Sequence, residues 1–144
     1  MLKKRERLSG VHPQLIKVVE EAAETFTHDI QVLERLRTLK RQKELVASGA
    51  SQTLKSKHLI QTDGFGYAVD LLPLQKDGSI DWKDTSLFDA LVHHMLRTAS
   101  AMNVRIRSGA DWDMDGVIDA TQIEVYRKRH GKAPFVDRPH YELV

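Results

Sequence analysis

At 144 residues, 41% hydrophobic and 29% charged, the chain is long enough for one domain with its own core and too apolar to be disordered. Its net charge of +2 is scattered, apart from Lys3-Lys4-Arg5 and Arg127-Lys128-Arg129, so the basic stripe with interleaved aromatics expected of a nucleic-acid binder is missing. The absence of cysteine excludes disulfides and thiolate metal sites, leaving His and carboxylate as the means of holding a transition metal.

The basic start runs into Ser9-Gly10 rather than an apolar segment, and no apolar run approaches the ~18 residues of a membrane span. A cytoplasmic product without a signal peptide or membrane insertion is therefore expected. Leu15, Ile16, Val18, Val19, Ala22, Ala23 and Phe26 follow helical spacing, with Ser9 as the predicted cap and Pro13 in the first turn. Ile30 to Leu33 reads as a short strand. A second helix is predicted over 38–47, stopped by Ser48-Gly49-Ala50-Ser51, and a polar loop over 52–57 leads to His58.

Gly66 to Leu72 reads as a strand, and Lys76-Asp77-Gly78-Ser79 as a turn. Asp84 or Thr85 should start a helix whose apolar face is Leu87, Phe88, Leu91, Val92, Met95, Leu96, Ala99 and Met102. A strand over 104–107 precedes the acidic loop 111–119, and a helix over 121–129 ends at Gly131. Phe135-Val136 and 141–144 close the chain as extended segments. With no repeat or linker, the expectation is a single α+β domain over 1–144, helices packed on a small, mostly antiparallel sheet.

Three residues stand out as candidate ligands: His58, Asp70 and His140. A catalytic zinc takes three protein ligands and keeps a position open for water, and two neutral imidazoles with one carboxylate leave it a net positive charge. Asp70 lies in a strand that reads as buried, where an unpaired carboxylate is costly. Asp137, three residues before His140, is within reach of a water at the same site. Composition alone leaves the alternative of ordinary core or surface histidines open. His93 and His94, about 100° apart on a helix, do not readily share an ion and read as a helix flank.

The segment 111–122 places Asp111, Asp113, Asp115 and Asp119 at the first, third, fifth and ninth positions of an EF-hand-like loop, with Gly116 at the sixth. Gln122 stands where a bidentate Glu is expected, and the preceding strand makes this half an EF-hand at best. Calcium is the expected occupant because four carboxylates in nine residues repel one another; an acidic Asx-turn loop without an ion is the alternative.

Ser56-Lys57-His58, Gly66-Tyr67-Ala68-Val69-Asp70 and Asp137-Arg138-Pro139-His140-Tyr141-Glu142-Leu143 together resemble the sequential motifs of the zinc D,D-carboxypeptidase and L-alanyl-D-glutamate peptidase family. Arg37-Thr38, Arg41-Gln42 and 48–51 are similar to the stretch preceding Ser-x-His in these enzymes, and 8–15 to the opening of phage members. The resemblance implies a D,D-peptidase/hedgehog-like fold and a zinc endolysin cutting the peptidoglycan stem peptide at the L-alanyl-D-glutamate bond, with D,D-carboxypeptidase activity as runner-up. It implies zinc on His58, Asp70 and His140, Asp137 as general base toward the attacking water, and Arg37 (or Arg41) stabilising the oxyanion. Ser56 would orient the loop or the substrate.

Eleven residues, 59–69, separate His58 from Asp70, more than the family spacing, so an inserted loop is expected to shape the cleft. A monomer is expected, and by the same resemblance it would act on the wall, without a separate cell-wall-binding domain, after release from the host cytoplasm. A non-enzymatic calcium-binding module and a basic interaction protein are the rival classes.

Overall fold

The computed structural model describes residues 1–33, 39–49 and 56–144. In chain order the elements are β1 (Leu2–Lys3), a 3-10 turn (Arg5–Leu8), α1 (Pro13–Thr25), β2 (Ile30–Val32), α2 (Leu39–Ala47), β3 (Ala68–Pro73), α3 (Ser86–Ala101), β4 (Ile106–Ser108), a second 3-10 turn (Asp119–Thr121), α4 (Ile123–His130) and β5 (His140–Leu143). The strands form a five-stranded sheet of order β1-β2-β3-β5-β4. Only the β1–β2 pair among these is parallel. The predicted α+β class, with a mostly antiparallel sheet, is what the chain adopts.

Local chemistry explains the helix boundaries. The cap of α1 is His12, whose Nδ1 accepts the Gln14 N–H at 3.1 Å, and not Ser9, which ends the preceding 3-10 turn. Pro13 fills the first helical position, where a missing N–H costs nothing. Asp84 accepts both the N–H and the hydroxyl of Ser86, so α3 begins one residue after Thr85. Gly131, at φ 75°, takes the left-handed conformation that terminates α4.

Leu15, Val18, Val19, Ala22 and Ala23 bury one stripe of α1, and Phe88, Leu91, Val92, Met95 and Ala99 one stripe of α3. These stripes meet each other and the inner face of the sheet. Full burial of a Leu or Val side chain contributes roughly 1.5–3 kcal/mol, which makes this face the main source of stability. The basic N-terminus, for which no element was predicted, adds β1 beside β2, while Phe135-Val136 lies outside any strand.

Strand alternation then sorts the residues of β3, β4 and β5. Val69, Leu71, Ile106, Tyr141 and Leu143 belong to the core cluster. Asp70, Arg107, His140 and Glu142 occupy the alternate positions and share the opposite face. The sheet thus separates an apolar inner face from an outer face rich in ionisable groups.

Candidate metal centre

The antiparallel pairing of β3 and β5 sets Asp70 directly across from His140. His58 comes from a turn outside the sheet. Its N–H is accepted by the Ser56 hydroxyl at 3.1 Å, so Ser56 sets the local turn, one of the two roles expected of it. The Lys57 carbonyl accepts the Tyr67 N–H at 2.7 Å, and the Lys57 ammonium donates to the Leu143 carbonyl at 3.1 Å. The turn is thereby tied to both strands that carry the other two residues.

Three donor atoms meet as a result. His58 Nε2 lies 3.0 Å from His140 Nδ1 and 3.1 Å from Asp70 Oδ1, and His140 Nδ1 lies 3.5 Å from Asp70 Oδ1. A tetrahedral zinc with bonds of about 2.0–2.1 Å spaces its ligand atoms by roughly 3.3 Å, so the donor set fits such an ion in both chemistry and dimension. All three residues are less than a tenth exposed. The grouping predicted from sequence is therefore the one the fold brings together.

The electrostatics describe a pocket with excess negative charge. Burial pushes the Asp70 carboxyl up, yet hydrogen bonds from His140 and His58 outweigh it and hold the group well below the usual carboxylate range. Burial would depress His140, but Asp70 and Glu142 on its two sides push it up to about 9. Glu142 is itself held low: burial opposes ionisation, while His140 and then Arg107 favour it more strongly. The centre attracts a cation, and a proton on His140 satisfies it in the absence of another.

Sequence reasoning assigned no role to Glu142, Arg107, Trp112 or Gly109. His140 Nε2 lies 2.7 Å from Glu142 Oε1, and Arg107 Nη2 donates to Glu142 Oε2 at 2.8 Å. The Trp112 indole lies along the His140 ring at a centroid distance of 5.4 Å, with the Arg107 guanidinium 5.6 Å from the indole. The signal for Glu142 was present: two residues after a ligand on a strand is the same face.

Gly109 grips the turn that carries Asp137 and His140. Its carbonyl accepts the Asp137 N–H at 2.8 Å and its N–H donates to the His140 carbonyl at 2.8 Å. A Cβ on Gly109 would lie 2.2 Å from the Asp137 carbonyl oxygen and 2.9 Å from His140 Cβ, so no larger residue fits without displacing that turn. Arg138 donates to Asp89 at the start of α3 at 2.7 Å, anchoring the same turn from its far side. Arg37 and the side chain of Arg41 lie outside the described residues.

The residues between His58 and Asp70 form a built turn rather than an open loop. Gln61 N–H donates to the Phe65 carbonyl at 2.8 Å, and Asp63 accepts both the Phe65 N–H and the Tyr67 hydroxyl. Gly66 then bridges to Val11, and the His12 ring stands edge-on to Phe65 and Tyr67. His94 reaches back to the Ala22 carbonyl and the Thr25 hydroxyl of α1, in keeping with a structural helix flank.

Asp111, Asp113, Asp115 and Asp119 also converge, each with a carboxylate oxygen within 4.8 Å of the others. Asp111 accepts the Asp115 and Gly116 N–H groups, and Asp119 accepts the Trp112 N–H at 2.8 Å. Burial, reinforced by sharing with Asp115 and Asp113, pushes Asp111 up to about 7. The last turn of α4 supplies a cation: Arg129 lies 2.9 Å from Asp115 and 3.4 Å from Asp113, and the His130 ring stands 3.3 Å from Asp113. This pairing was not foreseen, because nothing local in the sequence links Arg129 to a loop fourteen residues earlier.

With this geometry in hand, comparison with known proteins is informative. The model of the family described as phage L-alanyl-D-glutamate peptidase matches residues 2–144. The chain is 31% identical over 114 residues to the L-alanyl-D-glutamate peptidase of Escherichia phage T5, covering 77% of this chain and 79% of that protein. Among solved structures it resembles the Serratia marcescens L-Ala D-Glu endopeptidase ChiX, with a TM-score of 0.74 and 26% identity, over 100% of this chain and 90% of that one.

Proposed function

This chain belongs to the phage L-alanyl-D-glutamate peptidase family, and from that membership we propose that it hydrolyses the L-alanyl-D-glutamate bond of the peptidoglycan stem peptide with zinc as its metal. The observation that carries the reading is the convergence of His58 Nε2, Asp70 Oδ1 and His140 Nδ1 in a chain that matches the family along almost its whole length. Both named relatives are described by that bond, which favours it over D,D-carboxypeptidase activity.

His58, Asp70 and His140 would hold the ion. A bound zinc supplies a Lewis acid that polarises a peptide carbonyl and makes water a nucleophile near neutral pH. Asp137 is the proposed general base, taking a proton from the attacking water and returning it to the leaving amine. The Gly109 carbonyl accepts its N–H while its own carbonyl accepts the His140 N–H at 3.1 Å, which ties its backbone to that of His140. The proposed base and the proposed ligand thus share one hydrogen-bonded turn. Arg37 is proposed to face the developing oxyanion, where a fixed cation matters most. Ser56 holds the His58 turn, and a direct contact to substrate is a further proposed role.

Calcium is the proposed occupant of the acidic loop. The reading is supported by four converging carboxylates and by Trp112, whose N–H binds Asp119 while its ring lies on His140. Loop occupancy would then be felt at the catalytic turn. The protein is proposed to act as a monomer, reaching the wall after release from the host cytoplasm. No helix among the described residues is long and apolar enough to cross a membrane.

The deciding experiment measures zinc content and release of peptidoglycan fragments for wild type, His140→Ala and Asp137→Ala. About one zinc per chain and peptide-bond fragments of the expected masses are anticipated for wild type. His140→Ala should lose both, and Asp137→Ala should keep zinc and lose cleavage. A wild type that binds no zinc and cuts nothing, with calcium present, would make the calcium-module reading the better one.

A further inference from the structure

We infer that Glu142, clamped by Arg107, is a positioning residue that fixes His140 with its Nδ1 lone pair turned toward His58 and Asp70. The inference rests on the reading of that trio as the metal centre.

Arg107 and Glu142 are direct partners across the β4–β5 pair, so they lie side by side on the outer face of the sheet. On the other flank, Glu142 faces Ala68 of β3, whose small side chain leaves room for a carboxylate to turn along the strand toward His140. The two oxygens are divided: Oε1 meets His140 Nε2 at 2.7 Å and Oε2 accepts from Arg107 Nη2 at 2.8 Å.

The chemistry of the pair then decides the tautomer. An ionised carboxylate only accepts, so the nitrogen facing Oε1 must carry hydrogen. A neutral imidazole has a single N–H, and with it placed on Nε2 the lone pair falls on Nδ1, the atom that faces His58 and Asp70. Arg107 contributes twice. Its guanidinium faces the buried carboxylate, and its contact with Oε2 restrains that group from rotating off Nε2. The Trp112 ring against His140 limits rotation of the imidazole about its own axis. Glu142 is also 4% exposed, which a bare cross-strand ion pair does not require.

The test compares wild type, Glu142→Gln and Arg107→Met by chelator competition for zinc, and by nitrogen NMR of the His140 ring in the zinc-loaded proteins. Glu142→Gln keeps the side-chain shape but can turn an amide N–H toward His140, so zinc affinity should fall by roughly 10–100-fold. Arg107→Met, at a side chain one-third exposed, should give a smaller loss in the same direction. In loaded wild type the ring proton should reside on Nε2, and in Glu142→Gln that assignment should weaken or reverse. Zinc affinity within about twofold of wild type in both variants, or a wild-type ring proton on Nδ1, overturns the inference. If wild type itself takes up no zinc, the metal-centre reading fails first and the inference with it. If Glu142→Gln does not fold, Arg107→Met and the wild-type spectrum still decide.

Discussion

Replacing Gly109 by alanine tests whether the turn that carries Asp137 and His140 is as tightly held as its contacts imply. The new Cβ would stand 2.2 Å from the Asp137 carbonyl oxygen, whereas ordinary contact begins near 3.4 Å. The difference, 3.4 − 2.2, requires a shift of about 1.2 Å by the turn, by β4, or by both. His140 Cβ at 2.9 Å blocks the easiest direction of escape, and the two backbone hydrogen bonds between Gly109 and residues 137 and 140 oppose it further. Overpacking of this kind costs about 1–3 kcal/mol, a fall in Tm of roughly 3–10 °C for a chain of this size. A displacement near 1 Å of a general base costs on the order of 100-fold in rate. Thermal unfolding and turnover of a soluble stem-peptide substrate, measured at saturating zinc, report the two effects separately. An alanine variant with wild-type Tm and turnover would refute the claim that Gly109 sets the position of Asp137 and His140.

Stability of zinc-free protein should depend on pH through His140. Its folded pKa of about 9 lies above the ordinary histidine value of 6.5, so its contribution is complete below about pH 6.5 and is lost as pH rises through 9. Urea unfolding in the presence of a chelator, at pH 6.5 and 9.5, should show that loss, and zinc should abolish it by replacing the proton. Asp113→Ala should remove any rise in Tm that calcium gives the wild type, and an undiminished rise would count against a calcium-binding loop. Arg129→Gln should tighten calcium binding, because calcium and the guanidinium compete for Asp113 and Asp115; calorimetric titration reads this directly. Tyr141→Phe should raise stability by about 1 kcal/mol, since the Tyr141 hydroxyl is fully buried with no hydrogen-bond partner among the described residues. A lower unfolding midpoint in that variant would contradict the assignment.

The sequence carried the candidate ligands because each stands in a local pattern: His58 after a turn-forming Ser56, Asp70 in an apolar strand, His140 at the head of β5. Helical periodicity located α1 and α3 because their buried stripes are unbroken. Two kinds of information stayed hidden. The cap of α1 depended on the 3-10 turn that occupies Ser9, a choice between two capable residues that only tertiary packing makes. Gly109, Arg107 and Trp112 act through contacts with residues 23 to 35 positions away, and no window of sequence shows such distances. The expected counter-charge for the acidic loop was an ion alone, whereas α4 brings Arg129 to it.

The strand order has a consequence for how the chain reaches its native state. β5 is the last strand in chain order among the described residues, yet it lies between β3 and β4 rather than at an edge. During translation β3 has no partner on that side, and β4 has no place in the sheet, until residues 140–143 leave the ribosome. Closing the sheet then requires contacts between segments about 70 residues apart, the kind of distant pairing that slows folding. The same step delivers His140 to Asp70. A chain that has not yet paired β5 with β3 therefore cannot assemble the trio, and the three donor groups meet only when that distant pairing forms.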